Sequence, residues 1–216
     1  MSETSPSGRL TAIEPQKKRP SRVSVFIDES FAFGLDREVL EKFQLRVGDF
    51  IESETIQKIL NDEEFKGACS RAFRFLASRP RSRQEVIKRL TEFQYPETVV
   101  HRAIERCEKL GYIDDSIFAK QYADAMIRQK SVGRRWLQER LRQLGVSEPT
   151  RDAAISEAYA QVDEQNLARK LAEKRSARLK NLPVPQAKAR LAAFLQRKGF
   201  SWEVINAALA RFFPQS

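Results

Sequence analysis

Leu90-Thr-Glu-Phe-Gln94-Tyr95, Leu141-Arg-Gln-Leu-Gly145-Val146 and Leu195-Gln-Arg-Lys-Gly199-Phe200 are three versions of one phrase, offset by 51 and 54 residues. Ten residues after the fifth position come Ile104, Ile155 and Leu209, each preceded by alanine (Ala103, Ala154, Ala208). Four residues before the leading leucine stand Val86, Leu137 and Leu191. The spacing is helical, and the phrase reads as a helix end. Gly145 and Gly199 can take the left-handed C′ conformation, and Val146 or Phe200 can fold back on Leu141 or Leu195 as in a Schellman cap. Pro96, Ser147 and Ser201 then open the next helix, as a first-turn proline or an N-cap serine. Gln94 departs from the glycine pattern and predicts either a strained left-handed residue or a different turn.

A preceding helix completes each unit: Arg71–Ala77 in the first, a Phe118/Tyr122/Met126 stripe in the second, Leu167/Leu171/Leu179 in the third. Ser82 with Glu85 is a capping-box signature, and Gly111 closes a helix with Tyr112 at C″. The expected fold is therefore mainly all-α: three tandem three-helix repeats forming an elongated curved array, with mostly neighbour contacts. Repeat boundaries are set at 64–112, 113–162 and 163–213. Ahead of them, Val23-Ser-Val-Phe-Ile27, Asp28-Glu-Ser30 and Phe31-Ala-Phe33-Gly34-Leu35 read as a β-hairpin. Asp36 caps a short helix to Phe43, giving a small module over 22–62. Residues 1–21, rich in Ser, Pro and Lys, are expected to be a disordered tail.

Charge sorts along the chain. Residues 1–65 hold 9 bases and 13 acids, 66–145 hold 18 and 9, 146–165 hold 1 and 5, and 166–216 hold 11 and 2, giving +10 in all. Two basic blocks flank an acidic spacer, a field that attracts polyanions. A solvated arginine-rich helix surface explains the number of bases equally well, but not their recurrence at matched inter-helix turns. Arg79, Arg81 and Arg83, with Lys88 and Arg89, mark the first. Arg128, Lys130, Arg134 and Arg135 mark the second. Arg169, Lys170, Lys174 and Arg175 mark the third. These residues are the candidate binding set, and the Arg79/Arg81/Arg83 cluster is expected to be exposed.

Catalytic chemistry finds no foothold. No Gly-rich phosphate loop, carboxylate pair or nucleophile motif is present. Cys69 and Cys107 with the single His101 are too few for a metal centre, and no cofactor is implied. His101 matches Asp152 and Asn206 in the other repeats and reads as an exposed helix residue. Cys107 lies on the apolar stripe of Val100 and Ile104 and reads as core. Asp114 and Asp115 read as an N-cap and first turn rather than metal ligands. Trp136 and Trp202 are placed between helices rather than on nucleobases. With no ~20-residue apolar run and no signal-peptide stretch, the chain is expected to be a cytoplasmic non-enzyme with no membrane association.

Arg79-Pro-Arg81-Ser82, Leu110-Gly111-Tyr112-Ile113-Asp114-Asp115 with Phe118-Ala119, and Lys198-Gly199-Phe200 before Ile205 resemble the RecX family over roughly residues 68–212. The segment with Phe31-Ala-Phe33-Gly34 is similar to extensions of some members. The resemblance implies a monomeric partner of the RecA filament on single-stranded DNA. It would lodge in the filament groove and restrain strand exchange, ATP hydrolysis and coprotease activity. It supplies no catalytic residues and no sharply defined binding residues. Two other classes remain: a helical protein acting directly on DNA, and an adaptor offering the hairpin edge to a protein partner.

Overall fold

The computed structural model describes residues 7–213. The chain divides into two compact units, one built from residues up to Ser78 together with Ile87–Tyr112, the other from Arg79–Val86 together with Ile113 onward.

In the first unit a four-stranded antiparallel sheet has the order β3-β2-β1-β4, with β1 Gly8–Gln16, β2 Arg19–Ile27, β3 Ser30–Asp36 and β4 Phe50–Ile51. The expected β2–β3 hairpin is present, turning at Asp28 (φ 48°) and Glu29 (φ 65°), the positive-φ pair of a type I′-like turn. The disordered tail over 1–21 is overturned for Gly8 onward; Met1–Pro6 lie outside the described residues. Polar composition suggested disorder, yet Leu10 is fully buried in the sheet core and β1 pairs along β2 from Leu10 to Gln16. β4 covers β1 only at Gly8 and Arg9, so Pro15 falls where β1 is an edge and its missing N–H is tolerated.

Helix α1 (Arg37–Lys42) starts at Asp36, whose carboxylate accepts from the Glu38 N–H. Helix α2 (Ser53–Ser78) is one unbroken helix of 26 residues, so the boundary placed at 62–64 falls inside it. No glycine or proline breaks the chain there, the helix runs on through the cap-type residues Asn61 and Asp62, and it serves two cores. Ile56 and Ile59 close the sheet core with Val25, Leu35 and Ile51. Further along, Ala68, Cys69 and Ala72 are buried where α2 packs on α4 (Glu97–Lys109). Glu63 on α2 pairs with Arg22 (2.5 Å) and accepts from the Asp36 N–H (2.7 Å), tying helix to sheet. Helix α3 spans Arg83–Glu92.

The second unit contains α5 (Asp115–Lys130), α6 (Arg134–Gln143) and α7 (Glu148–Ala158), then α8 (Glu164–Ser176), α9 (Val184–Arg197) and α10 (Trp202–Ala210). Each triplet has its own core, one around Phe118, Leu137, Leu141 and Ile155, the other around Leu191, Leu195, Phe200 and Ile205. The helix ends close as the phrase predicted. Gly145 (φ 79°) and Gly199 (φ 84°) are left-handed; Val146 N–H donates to the Leu141 carbonyl (3.1 Å) and Phe200 N–H to that of Leu195 (3.3 Å). Gln94 is the strained alternative, left-handed at φ 60°. Pro96 is itself the N-cap of α4 rather than its first helical residue. Trp136 is partly buried against the α5–α7 core, but Trp202 is 55% exposed at the start of α10, so its placement between helices is corrected. No helix among the described residues is long and apolar enough to cross a membrane.

Candidate polyanion-binding surface

The matched turns are built around docking between helix ends, and this chemistry fixes where the basic residues go. Before α3, Ser82 and Glu85 form the predicted capping box: Ser82 N–H donates to Glu85 Oε2 (3.1 Å) and Glu85 N–H to Ser82 Oγ (3.2 Å). The Ser82 hydroxyl then donates to the carbonyl of Leu144, the C-cap of α6, at 2.6 Å. One repeat later, Gly133 N–H donates to the carbonyl of Lys198, the C-cap of α9, at 2.7 Å. Ser82 and Gly133 are 51 residues apart, and Leu144 and Lys198 are 54 apart, the offsets of the repeat. Helix-end carbonyls that lack an intrahelical partner are thus satisfied by the neighbouring turn.

The approach is close enough to exclude a side chain. A Cβ on Gly199 would lie 2.2 Å from Trp136 N, and one on Gly145 would lie 2.4 Å from Gln84 Cβ. The glycines therefore serve both the left-handed cap and the close approach. An acid completes each turn: Asp115 accepts from the Arg83 N–H at 2.8 Å, and Glu164 accepts from the Arg134 N–H at 3.2 Å. Both are the first residue of their helices, placed at the positive ends of α3 and α6.

This arrangement corrects the expected exposure of the first cluster. Arg79 is exposed but pairs with Glu85 at 2.7 Å; Arg81 reaches the same carboxylate at 3.5 Å with its side chain only 16% exposed; Arg83 is half-buried. Arg134 pairs with Glu164 (3.3 Å) and lies over the Tyr159 ring at 4.4 Å. Tyr159 donates its hydroxyl to the Val132 carbonyl, and burial raises its pKa. Arg89 pairs with Glu92 at 3.1 Å, Arg169 donates to Asn166 at 2.6 Å, and Arg175 lies over Phe194 at 5.4 Å. By contrast Lys88, Arg128, Lys130, Arg135, Lys170 and Lys174 are exposed, and no carboxylate among the described residues pairs with their side chains. The candidate set therefore splits into arginines that hold turns together and cations open to solvent. Glu85 and Asp115 were read in the sequence only as capping and first-turn residues, and Glu164 was missed; that the three acids engage the turn arginines was not foreseen. The signal was there for two of them, since Asp115 and Glu164 stand 49 residues apart at matching helix starts.

Titratable groups that could suggest chemistry are accounted for by packing. Burial pushes the Cys107 thiol up to about 11 and raises that of Cys69, the reverse of an activated nucleophile. Hydrogen bonds from Arg142 and Gln143 hold the exposed Glu139 carboxyl at about 2. His101 is half-exposed beside Glu97 (3.5 Å), and Asp114 caps α5 through the N–H groups of Ser116 and Ile117. Among the described residues no group of three His, Cys, Asp or Glu side chains could hold a metal ion.

Comparison with known proteins gives a consistent result along the chain. Residues 8–52 match the domain family described as regulatory protein RecX N-terminal domain, 68–107 the first RecX three-helix domain, 114–155 the second and 163–209 the third. The chain is 34% identical over 200 residues to Regulatory protein RecX of Bacillus subtilis (strain 168), covering 93% of this chain and 75% of that one. It is 31% identical over 201 residues to the Staphylococcus aureus (strain JH9) protein of the same name, covering 93% and 73%. A crystal structure of regulatory protein RecX superposes with a TM-score of 0.74 at 29% identity, covering 92% of this chain and 97% of that one. The RecX structure from Lactobacillus salivarius shares the fold, with a TM-score of 0.62 at 21% identity over 69% of this chain and 97% of that one.

Proposed function

The chain belongs to the RecX family, and from that premise we propose that it is a non-enzymatic cytoplasmic regulator acting as a monomer. It binds the groove of the RecA filament on single-stranded DNA and restrains strand exchange, ATP hydrolysis and coprotease activity. The observation that carries this reading is the split among the bases. Lys88, Arg128, Arg135, Lys170 and Lys174 stand exposed, without acid partners among the described residues, on successive three-helix units, while the ends of α6 and α9 are locked by docking. Cations fixed on stiff elements suit a long anionic track that repeats, as a nucleoprotein filament does. Co-sedimentation tests it: the protein should pellet with RecA assembled on single-stranded DNA and stay in the supernatant with free RecA. Equal partition in both, with strand exchange unaffected, would sink the reading.

A further inference from the structure

Among the described residues, the docking that covers the ends of α6 and α9 has no counterpart at the end of α3. There Glu92, Phe93 and Gln94 are exposed, and Gln94 stands where the docked ends require glycine. This helix end instead carries a stack of cations on one aromatic ring. The Arg71 guanidinium lies 3.6 Å from the Phe93 ring centroid, and that of Arg89 lies 4.7 Å from the same centroid and 5.7 Å from that of Phe75. All of these residues lie in the first unit.

Two features distinguish the stack from an ordinary arginine surface. The first is that two like charges share one ring while only Arg89 has an acid partner, Glu92. No carboxylate among the described residues pairs with Arg71, whose Nε is buried without a hydrogen-bond partner. The second is rigidity. A guanidinium held against an aromatic face has already lost the rotamer freedom a surface arginine gives up on binding. Exposed Lys88 lies on the same helix as Arg89, and exposed Arg74 lies one turn along α2 from Arg71. The outer plane of a stacked guanidinium is also a surface on which a nucleobase can lie.

We infer that the end of α3, with Arg71, Arg89 and Phe93, is a binding site for the phosphodiester backbone of a nucleic acid. The guanidinium edges take the phosphates and Phe93 holds them in place. The inference rests on the polyanion-binding part of the function proposed above but names residues of its own. Phe93 is a positioning residue, carrying no charge and acting through the two arginines.

The test measures fluorescence anisotropy of a labelled thymidine oligonucleotide, and of a duplex of the same length, with the full chain. Phe93→Leu keeps an apolar side chain and the net charge, so it should leave the melting transition nearly in place yet weaken binding about tenfold, the scale of one missing stacking interaction. Arg71→Gln should weaken it similarly and lower the salt slope by about 0.7 on the single strand. Lys58→Gln, an exposed cation elsewhere on α2, supplies the control for charge alone. Binding to either nucleic acid with these losses supports the site, and a preference for the single strand places a base on the guanidinium plane. If Phe93→Leu unfolds the chain, Arg89→Gln replaces it. Loss no greater than that of Lys58→Gln, or no binding by the wild type, overturns the inference. So does a loss seen with the filament but not with bare nucleic acid, which would make the stack a protein-binding surface. Failure to pellet with the filament while the patch still binds oligonucleotide would instead overturn the function proposed above and leave this site standing.

Discussion

Four glycine-like positions separate what a left-handed residue costs from what a close approach costs. Gly111 (φ 73°) has nothing within 4 Å of a Cβ, so Gly111→Ala should cost only the left-handed penalty, about 1 kcal/mol. In Gly145→Ala the new methyl meets the Gln84 side chain, and in Gly199→Ala it meets the backbone of Trp136, which cannot swing away. The expected order in urea denaturation is Gly111, then Gly145, then Gly199, the last at about 3 kcal/mol because overpacking adds to the backbone strain. Gln94→Gly should go the other way, stabilising by about 0.5–1 kcal/mol, since Gln94 is left-handed and exposed. Equal losses at Gly111 and Gly199 would show that the packing of helix ends carries no weight. The sequence made the caps legible because a cap is written in six consecutive residues. It left the second duty of the glycines invisible, because the atoms they approach lie 61 and 63 positions away, at Gln84 and Trp136.

Among the elements, the helices were readable wherever an apolar stripe and a cap agreed, as in α4, with Val100, Ile104 and Cys107 buried and Gly111 closing it. Reading failed where composition stood in for pattern. β1 carries charged and polar residues because one face of a small sheet is wet, and Leu10 is the one large apolar side chain of the strand that is buried. The basic clusters were found by count, but their division into structural and free members depends on acids distant in sequence. Arg134 makes that division testable. Its side chain is 44% exposed and its partner Glu164 17%, so the pair is worth about 0.5–1 kcal/mol after screening. A double-mutant cycle with Arg134→Gln and Glu164→Gln should return a coupling of that size, falling in high salt. A coupling of zero would return Arg134 to the solvent-facing set. Until separated in this way, loss of function on changing Arg79, Arg81 or Arg134 mixes a weaker grip on the partner with a loosened turn.

Across the whole molecule, the solvent-facing cations are the cleaner probes, and how their effects combine bears on how the protein engages its partner. Lys88, Arg128 and Lys174 lie on three different three-helix units and have no acid partner among the described residues. If each meets the same polyanionic track, changing one to glutamine removes one point of attachment and leaves the others to hold the chain in place. Linked attachments act through effective concentration, so the effects of removing them multiply rather than saturate. Each single variant should therefore raise the concentration needed to inhibit RecA strand exchange a few-fold, roughly the effect of one screened phosphate interaction. The triple variant should raise it by about the product of the three. The slope of log affinity against log salt should fall by about 0.7 for each phosphate no longer neutralised, up to about 2 in the triple variant. None of the three changes removes a buried apolar group or an ion pair, so the urea midpoint should stay put and serve as the control. If one substitution reproduced the whole loss and the other two did nothing, binding would be local to one unit. The recurrence of bases would then reflect the chemistry of the turns alone, since Arg79, Arg81 and Arg134 already show that a matched arginine can be kept for a neighbouring carboxylate.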